Sequence, residues 1–177
     1  MNHYKSWSGL KNQLTECLCD SLKGRVTYFL TRYHTVHNSY GRASIRLDGD
    51  DLVTFTWFDE TRQERDTYER WQAIGVWDSE AWELHNKWEK EGIISDRDFL
   101  QAATDFLEMP IEDALNSDNC LFRIFAIMDR RVGKRTIQKI QNKEIYKTYP
   151  DWVQQFYLLR FDSLKRDFSR GKRTEKI

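Results

Sequence analysis

The spacing of apolar residues changes twice along this chain, and that change limits the folds open to it more than any single motif does. From about Tyr4 to Leu22, the residues Trp7, Leu10, Leu14, Cys17, Leu18 and Leu22 recur every three or four positions, as on one face of an α-helix. This helix is expected to stop at Lys23-Gly24. From Arg25 to Val36 β-branched and aromatic residues mix, Asn38 to Gly41 has turn chemistry, and Arg42 to Leu47 alternates polar with apolar. Asp48-Gly49-Asp50 then turns the chain into a third strand, Leu52 to Trp57. A three-residue loop there pairs Ala43 with Phe55 and Ile45 with Val53 on one face. Arg42, Ser44, Arg46, Thr54 and Thr56 fall on the other.

After the strands the three-and-four spacing returns. Thr61-Arg62-Gln63-Glu64 has the spacing of a capping box and opens a charged helix to Gly75, with Tyr68, Trp71 and Ile74 as its sizeable apolar residues. Asp78 or Ser79 starts a segment with Trp77, Ala81, Leu84 and Trp88 on one face, ending at Gly92. Ser95 opens a helix carrying Phe99, Leu100, Ala103, Phe106 and Leu107; Pro110 starts a short one; Ser117 or Asp118 caps one that carries Cys120 to Asp129. Pro150 opens the last, with Val153, Phe156, Tyr157, Phe161, Leu164 and Phe168 as its stripe, and the polar tail from Ser169 to Ile177 is expected to fray.

No Pro-, Gly- or Ser-rich linker interrupts this order. The expectation is one α+β domain over residues 1–177. An N-terminal helix and a small antiparallel three-stranded sheet fill residues 1–75, and a mostly helical lobe fills 76–168. The lobe should cover the Ile45, Val53, Phe55 and Trp57 side of the sheet.

The 28 Lys and Arg residues balance 28 Asp and Glu residues, so the chain lacks the overall charge that drives indiscriminate binding to nucleic acid or acidic membranes. Any such binding must be local. The three cysteines, Cys17, Cys19 and Cys120, are too few and too unevenly spaced for a disulfide framework, and no basic segment followed by an apolar run opens the chain. No stretch approaches 18 uninterrupted apolar residues. These features together point to a reducing cytoplasm and away from a membrane.

Several residue groups invite chemistry and then lose it. Cys17 and Cys19 on one helix would sit about 200° apart, so their thiols diverge and cannot share a metal. His34 and His37, three apart on a strand, face opposite sides of the sheet; a loop starting at His37, joined by His85 or His3, is the arrangement that would hold zinc. No metal and no cofactor is expected. Cys120 near a helix start has the dipole environment that favours a thiolate, but small buried cysteines are common at such positions and packing accounts for it. The acidic runs at Asp59-Glu60 and from Glu80 to Glu91 alternate with Lys, Arg and Trp as on a solvated helix face. Val132-Gly133-Lys134-Arg135-Thr136 lacks the earlier glycine and the preceding strand of a phosphate-binding loop. No catalytic residue emerges.

What remains is a basic patch. The apolar run Leu121 to Met128 leads straight into Asp129-Arg130-Arg131-Val132-Gly133-Lys134-Arg135, which puts four cations in six positions beside core. If the helix continues, Arg131, Arg135 and Lys139 form one stripe, widened by Arg130 and Lys134. If Gly133 breaks it, the cations occupy the turn and the next helix start. Pairing with nearby acidic side chains is the plain alternative to a role in docking an anionic partner.

Tyr28-Phe29-Leu30-Thr31-Arg32-Tyr33-His34, Tyr40 to Gly49, and Arg123-x-Phe125-Ala126-Ile127-x-Asp129-Arg130-Arg131-Val132-Gly133-Lys134-Arg135-Thr136 together resemble a family of small uncharacterised bacterial proteins. That resemblance implies a bacterial origin and carries no activity, cofactor or catalytic residue. The order helix, three strands, helix is also similar to that of double-stranded RNA-binding domains, but their Lys-rich cluster is replaced here by the mixed-charge Thr61 to Asp66. The function expected is a non-enzymatic adaptor, regulator or immunity-type binder. Its candidate partner-binding residues are Arg130, Arg131, Lys134 and Arg135, with Arg42 and Arg46 on the sheet, and its expected partner is an acidic protein. Nucleic acid on the same cations is the alternative, an enzyme with an unrecognised site a further one, and the seven Trp leave room for a homodimer contact.

Overall fold

A computed structural model describes residues 6–32, 41–56, 83, 92 and 94–174, with backbone alone at 32 and 166–174. The helices expected over 61–75 and 78–92, the strand end at 33–36 and the histidines lie outside the described residues, apart from Glu83, which is helical, and Gly92, which is in a turn. Elements are numbered in chain order among those described.

Helix α1 spans Trp7–Cys17 and begins where Ser6 Oγ accepts a hydrogen bond from the Gly9 amide at 3.2 Å. Leu10 and Leu14 form its buried face. The helix ends earlier than its apolar spacing predicts, because a distant segment takes over its backbone groups. Cys17 O accepts from the Arg130 amide (2.8 Å), the Cys19 amide donates to Met128 O (3.0 Å), and Leu18 forms an isolated antiparallel bridge with Asp129. Leu18 and Leu22 stay buried, so the apolar spacing marked burial correctly while the backbone followed a tertiary bond.

Strands β1 (Val26–Arg32), β2 (Gly41–Leu47) and β3 (Asp50–Phe55) form an antiparallel sheet in the order β1-β2-β3. Ala43 pairs with Phe55 and Ile45 with Val53, as the alternation predicts. The loop between them is different. Leu47 pairs with Asp50, leaving a two-residue Asp48-Gly49 turn with both φ angles positive (54° and 104°), the geometry that an Asp-Gly pair favours in a hairpin. A bulge between Ile45 and Arg46 on β2 and their partners Val53 and Asp51 on β3 restores the register by leaving Leu52 as the extra residue. Its effect is to move Asp51 opposite Arg46, onto the polar face.

Helix α2 (Asp96–Glu108) starts on a Ser95 cap and buries Phe99, Leu100, Ala103 and Phe106, as expected. The short α3 (Ile111–Asn116) follows Pro110. Helix α4 (Cys120–Met128) is capped by Asn119, whose Oδ1 accepts from the Leu121 and Phe122 amides, rather than by Ser117 or Asp118. Helix α5 spans Lys134–Lys143, a 3-10 turn covers Ile145–Thr148, and α6 runs from Asp151 to Thr174, past the point where the tail is expected to fray.

The helices cover the Tyr28, Ala43, Ile45 and Phe55 face of the sheet. Phe99 joins the layers: its ring stacks on Phe55 at 5.1 Å, meets Phe125 edge-on at 5.8 Å and tilts against Trp7 at 6.3 Å. Tyr28 meets Phe125 from the sheet side at 6.1 Å. Gln155 Nε2 on α6 donates to Leu52 O at 3.2 Å, so the last helix holds the bulge residue. At the start of β2, Gly41 leaves no room for a side chain, since a Cβ there would overlap the buried Asp96 carboxylate and lie 2.9 Å from Thr31 O. Among the described residues no helix is long and apolar enough to cross a membrane.

Candidate functional site

The basic patch is organised by the residue that precedes it. Asp129 follows the last turn of α4 and is 1% exposed, held there by the bridge to Leu18. Its Oδ1 accepts from the Arg131 amide at 2.7 Å, and its carboxylate takes the Arg131 guanidinium through Nε (3.1 Å) and Nη2 (2.9 Å). Arg131 also lies over the Phe106 ring, 5.5 Å from its centroid. Its side chain is 41% exposed, yet the charge is answered from within. Hydrogen bonding to Asp129 raises the Arg131 pKa further.

Asp129 also sets the environment around it. Burial, and then the Asp129 charge, push the Cys17 thiol upward against the opposing pull of Arg131 and Arg130. Burial likewise drives the Tyr28 phenol well above its ordinary range, with Cys17, Asp129 and Cys19 adding to it. Both groups stay protonated near neutrality, so this cluster positions a turn and does not offer a nucleophile.

The chain leaves the helix after Met128 and resumes one at Lys134, so the cations occupy a turn and a new helix start. The stripe imagined through Arg131 is therefore replaced. Arg135, Lys139 and Lys143 stand four apart on α5 and form the row, with Arg130 exposed ahead of them. None of these four makes an ion pair among the described residues. Lys134 is exposed and does have an interaction of its own. From Arg130 to Lys143 the sequence has six cations and no carboxylate. Ile137 is the fully buried side chain that pins α5 to the rest of the protein.

The sheet face is differently balanced. Arg42 and Arg46 both pair with Asp51, Arg46 through Nε at 2.7 Å, and the Arg46 guanidinium lies 3.9 Å from the Phe29 ring centroid. Partial burial acts to raise the Asp51 pKa, but the bond from Arg46, the nearby Ser44 hydroxyl and the charge of Arg42 hold it below the ordinary carboxylate value. Ser44 Oγ is buried and has no hydrogen-bond partner among the described residues. Asp51 was invisible as a partner in the sequence because its face depends on the bulge. The two candidate surfaces thus differ in kind: two sheet cations share one acid, while the α5 row has none.

Cys120 is the first residue of α4 and is buried, and Cys19 is buried outside the helix that was expected to carry it. Among the described residues no three His, Cys, Asp or Glu side chains come together as metal ligands would.

No curated protein and no solved structure matches this chain. A family profile does match, over residues 6–161, which takes in all three segments that carry the resemblance. The helix, three-stranded sheet and Asp129-to-Thr136 turn described here are therefore those of a member of the SF0329 protein family, to which the chain belongs.

Proposed function

We propose that this protein is a non-enzymatic binding protein that docks an acidic protein partner on α5 and the turn before it. One observation carries the proposal: among the described residues Arg130, Arg135, Lys139 and Lys143 are exposed without ion pairs, along fourteen residues that contain no carboxylate, in a chain whose charges otherwise cancel. A solvated helix face ordinarily interleaves both signs. Leaving three like charges four apart along one helix, with a fourth in the turn before it, destabilises the helix slightly and favours association with a negative surface. The sheet face around Arg42 and Arg46 is the weaker candidate, because Asp51 already cancels half its charge.

Charge reversal at Lys139 and Lys143 tests this. The pair of substitutions should remove binding to poly-glutamate and to an acidic protein captured from a bacterial lysate, while thermal stability stays within about a degree or two, since both side chains are exposed. Capture that survives the double reversal sinks the proposal. Nucleic acid is the second occupant to consider, because one row of cations with no acid among them also suits a phosphate backbone. It is recognised by nuclease-sensitive capture and an affinity that falls steeply with salt.

A further inference from the structure

We infer that the N-terminal end of α5 binds a phosphate monoester, and that such a group anchors the acidic partner; the second half of this inference rests on the function proposed above. The helix opens without a side-chain cap and without an acidic residue in its first turn. Helix-internal bonding starts with the Ile137 amide donating to Gly133 O at 3.2 Å, so the Arg135 and Thr136 amides have no acceptor in the helix. Arg135 stands at this positive end, where the helix dipole favours an anion and opposes a cation. A Cβ on Gly133 would meet nothing within 4 Å, so the space at the cap is open.

An independent observation lies beneath the turn. Arg160 on α6 is 5% exposed and has no carboxylate partner among the described residues. Its Nη1 donates to Ser163 Oγ at 3.2 Å, its Nη2 reaches Val132 O at 3.5 Å immediately before the cap, and its Nε has no hydrogen-bond partner among the described residues. A buried guanidinium without a counter-charge is costly unless an anion completes it. Its contact with Val132 O puts this charge behind the turn that leads into the helix, while Arg130 and Arg135 are exposed on the surface. Asp129, the buried acid of the turn, is bonded to Arg131 and not to Arg160. Two open amides at the end of a helix, with Arg130 and Arg135 exposed beside them in sequence and Arg160 behind the turn, suit a compact dianion with several acceptor oxygens better than a single carboxylate.

The test follows the backbone amides of the intact chain by NMR during titration with inorganic phosphate and O-phosphoserine, against chloride at equal ionic strength. Saturable shifts centred on Arg135 and Thr136, with millimolar Kd, are expected. Arg135→Gln should raise Kd about tenfold, and Gly133→Asp, which places a carboxylate in the open cap, should abolish the shifts. Arg160→Gln should weaken binding likewise; should it fail to fold, the two surface substitutions decide. Shifts that are linear, match those of chloride or centre on Lys139 to Lys143 overturn the inference. So does binding of a single-stranded oligonucleotide when neither phosphate nor phosphoserine binds. Poly-glutamate binding on the same samples separates the two proposals. If it is lost on reversal of Lys139 and Lys143 while phosphate has no site, this inference alone fails. If it is indifferent to reversal while phosphate binds at Arg135 and Thr136, the proposed function alone fails.

Discussion

Two carboxylates show how much one residue can depend on where the chain puts it. Asp129 is buried and bonded to Arg131 through both backbone and side chain. Asp129→Ala should therefore cost about 2–4 kcal/mol, measured by urea unfolding, because it removes the turn's anchor and leaves the Arg131 amide and guanidinium without their acceptor. Asp51 is more exposed, so Asp51→Asn should cost no more than about 1 kcal/mol at pH 7. Its pKa in the fold lies below the unfolded value, so its contribution is present above roughly pH 4 and fades as the pH falls through the folded value. Unfolding measured from pH 7 to pH 3 should show a shallower acid loss in Asp51→Asn than in the wild type. Neither role could be read from the sequence, where Asp129 looked like the first member of a charged run. Its burial is set by Leu18, far away in the chain, and the bulge that gives Asp51 its partners is a two-strand property.

At the level of elements, α5 is stabilised less than its neighbours: it has one fully buried side chain and no cap. Gly133 has φ −71° and ψ 160°, which any residue adopts and which suits a capping side chain. Gly133→Ser should raise stability by about 0.5–1 kcal/mol, seen as a higher denaturant midpoint, through a new bond to the helix amides and a less flexible unfolded chain. Elements with local signals were legible: Ser95 and the Phe99, Ala103, Phe106 spacing define α2 at both cap and face, and Pro110 and Pro150 mark the two helices that follow them. The hairpin register at Ala43 and Ile45 was legible too, although its turn was not. A three-residue loop and a two-residue turn with a bulge give the same pairing beyond the bulge, and alternation alone does not distinguish them.

Over the whole molecule, the apolar residues of the sheet and the helices form one core cluster, from Leu10 on α1 to Leu164 on α6. Phe99 sits where α1, β3 and α4 meet, so Phe99→Ala should cost about 3–5 kcal/mol and lower the unfolding signals of sheet and helices together in circular dichroism and Trp fluorescence. The α+β architecture and the sheet face that the helices cover followed from apolar spacing, because burial itself imposes that spacing. The surface was harder to read, since which cations stay unpaired depends on where every acid ends up. The Leu18-to-Asp129 bridge has a kinetic side as well. It joins residues 111 positions apart in the chain, and the end of α1 cannot reach its final hydrogen bonds until Arg130 has left the ribosome. High sequence separation of this kind slows the search for the native state, so a nascent chain halted before that point would keep its first helix unanchored and exposed to proteases.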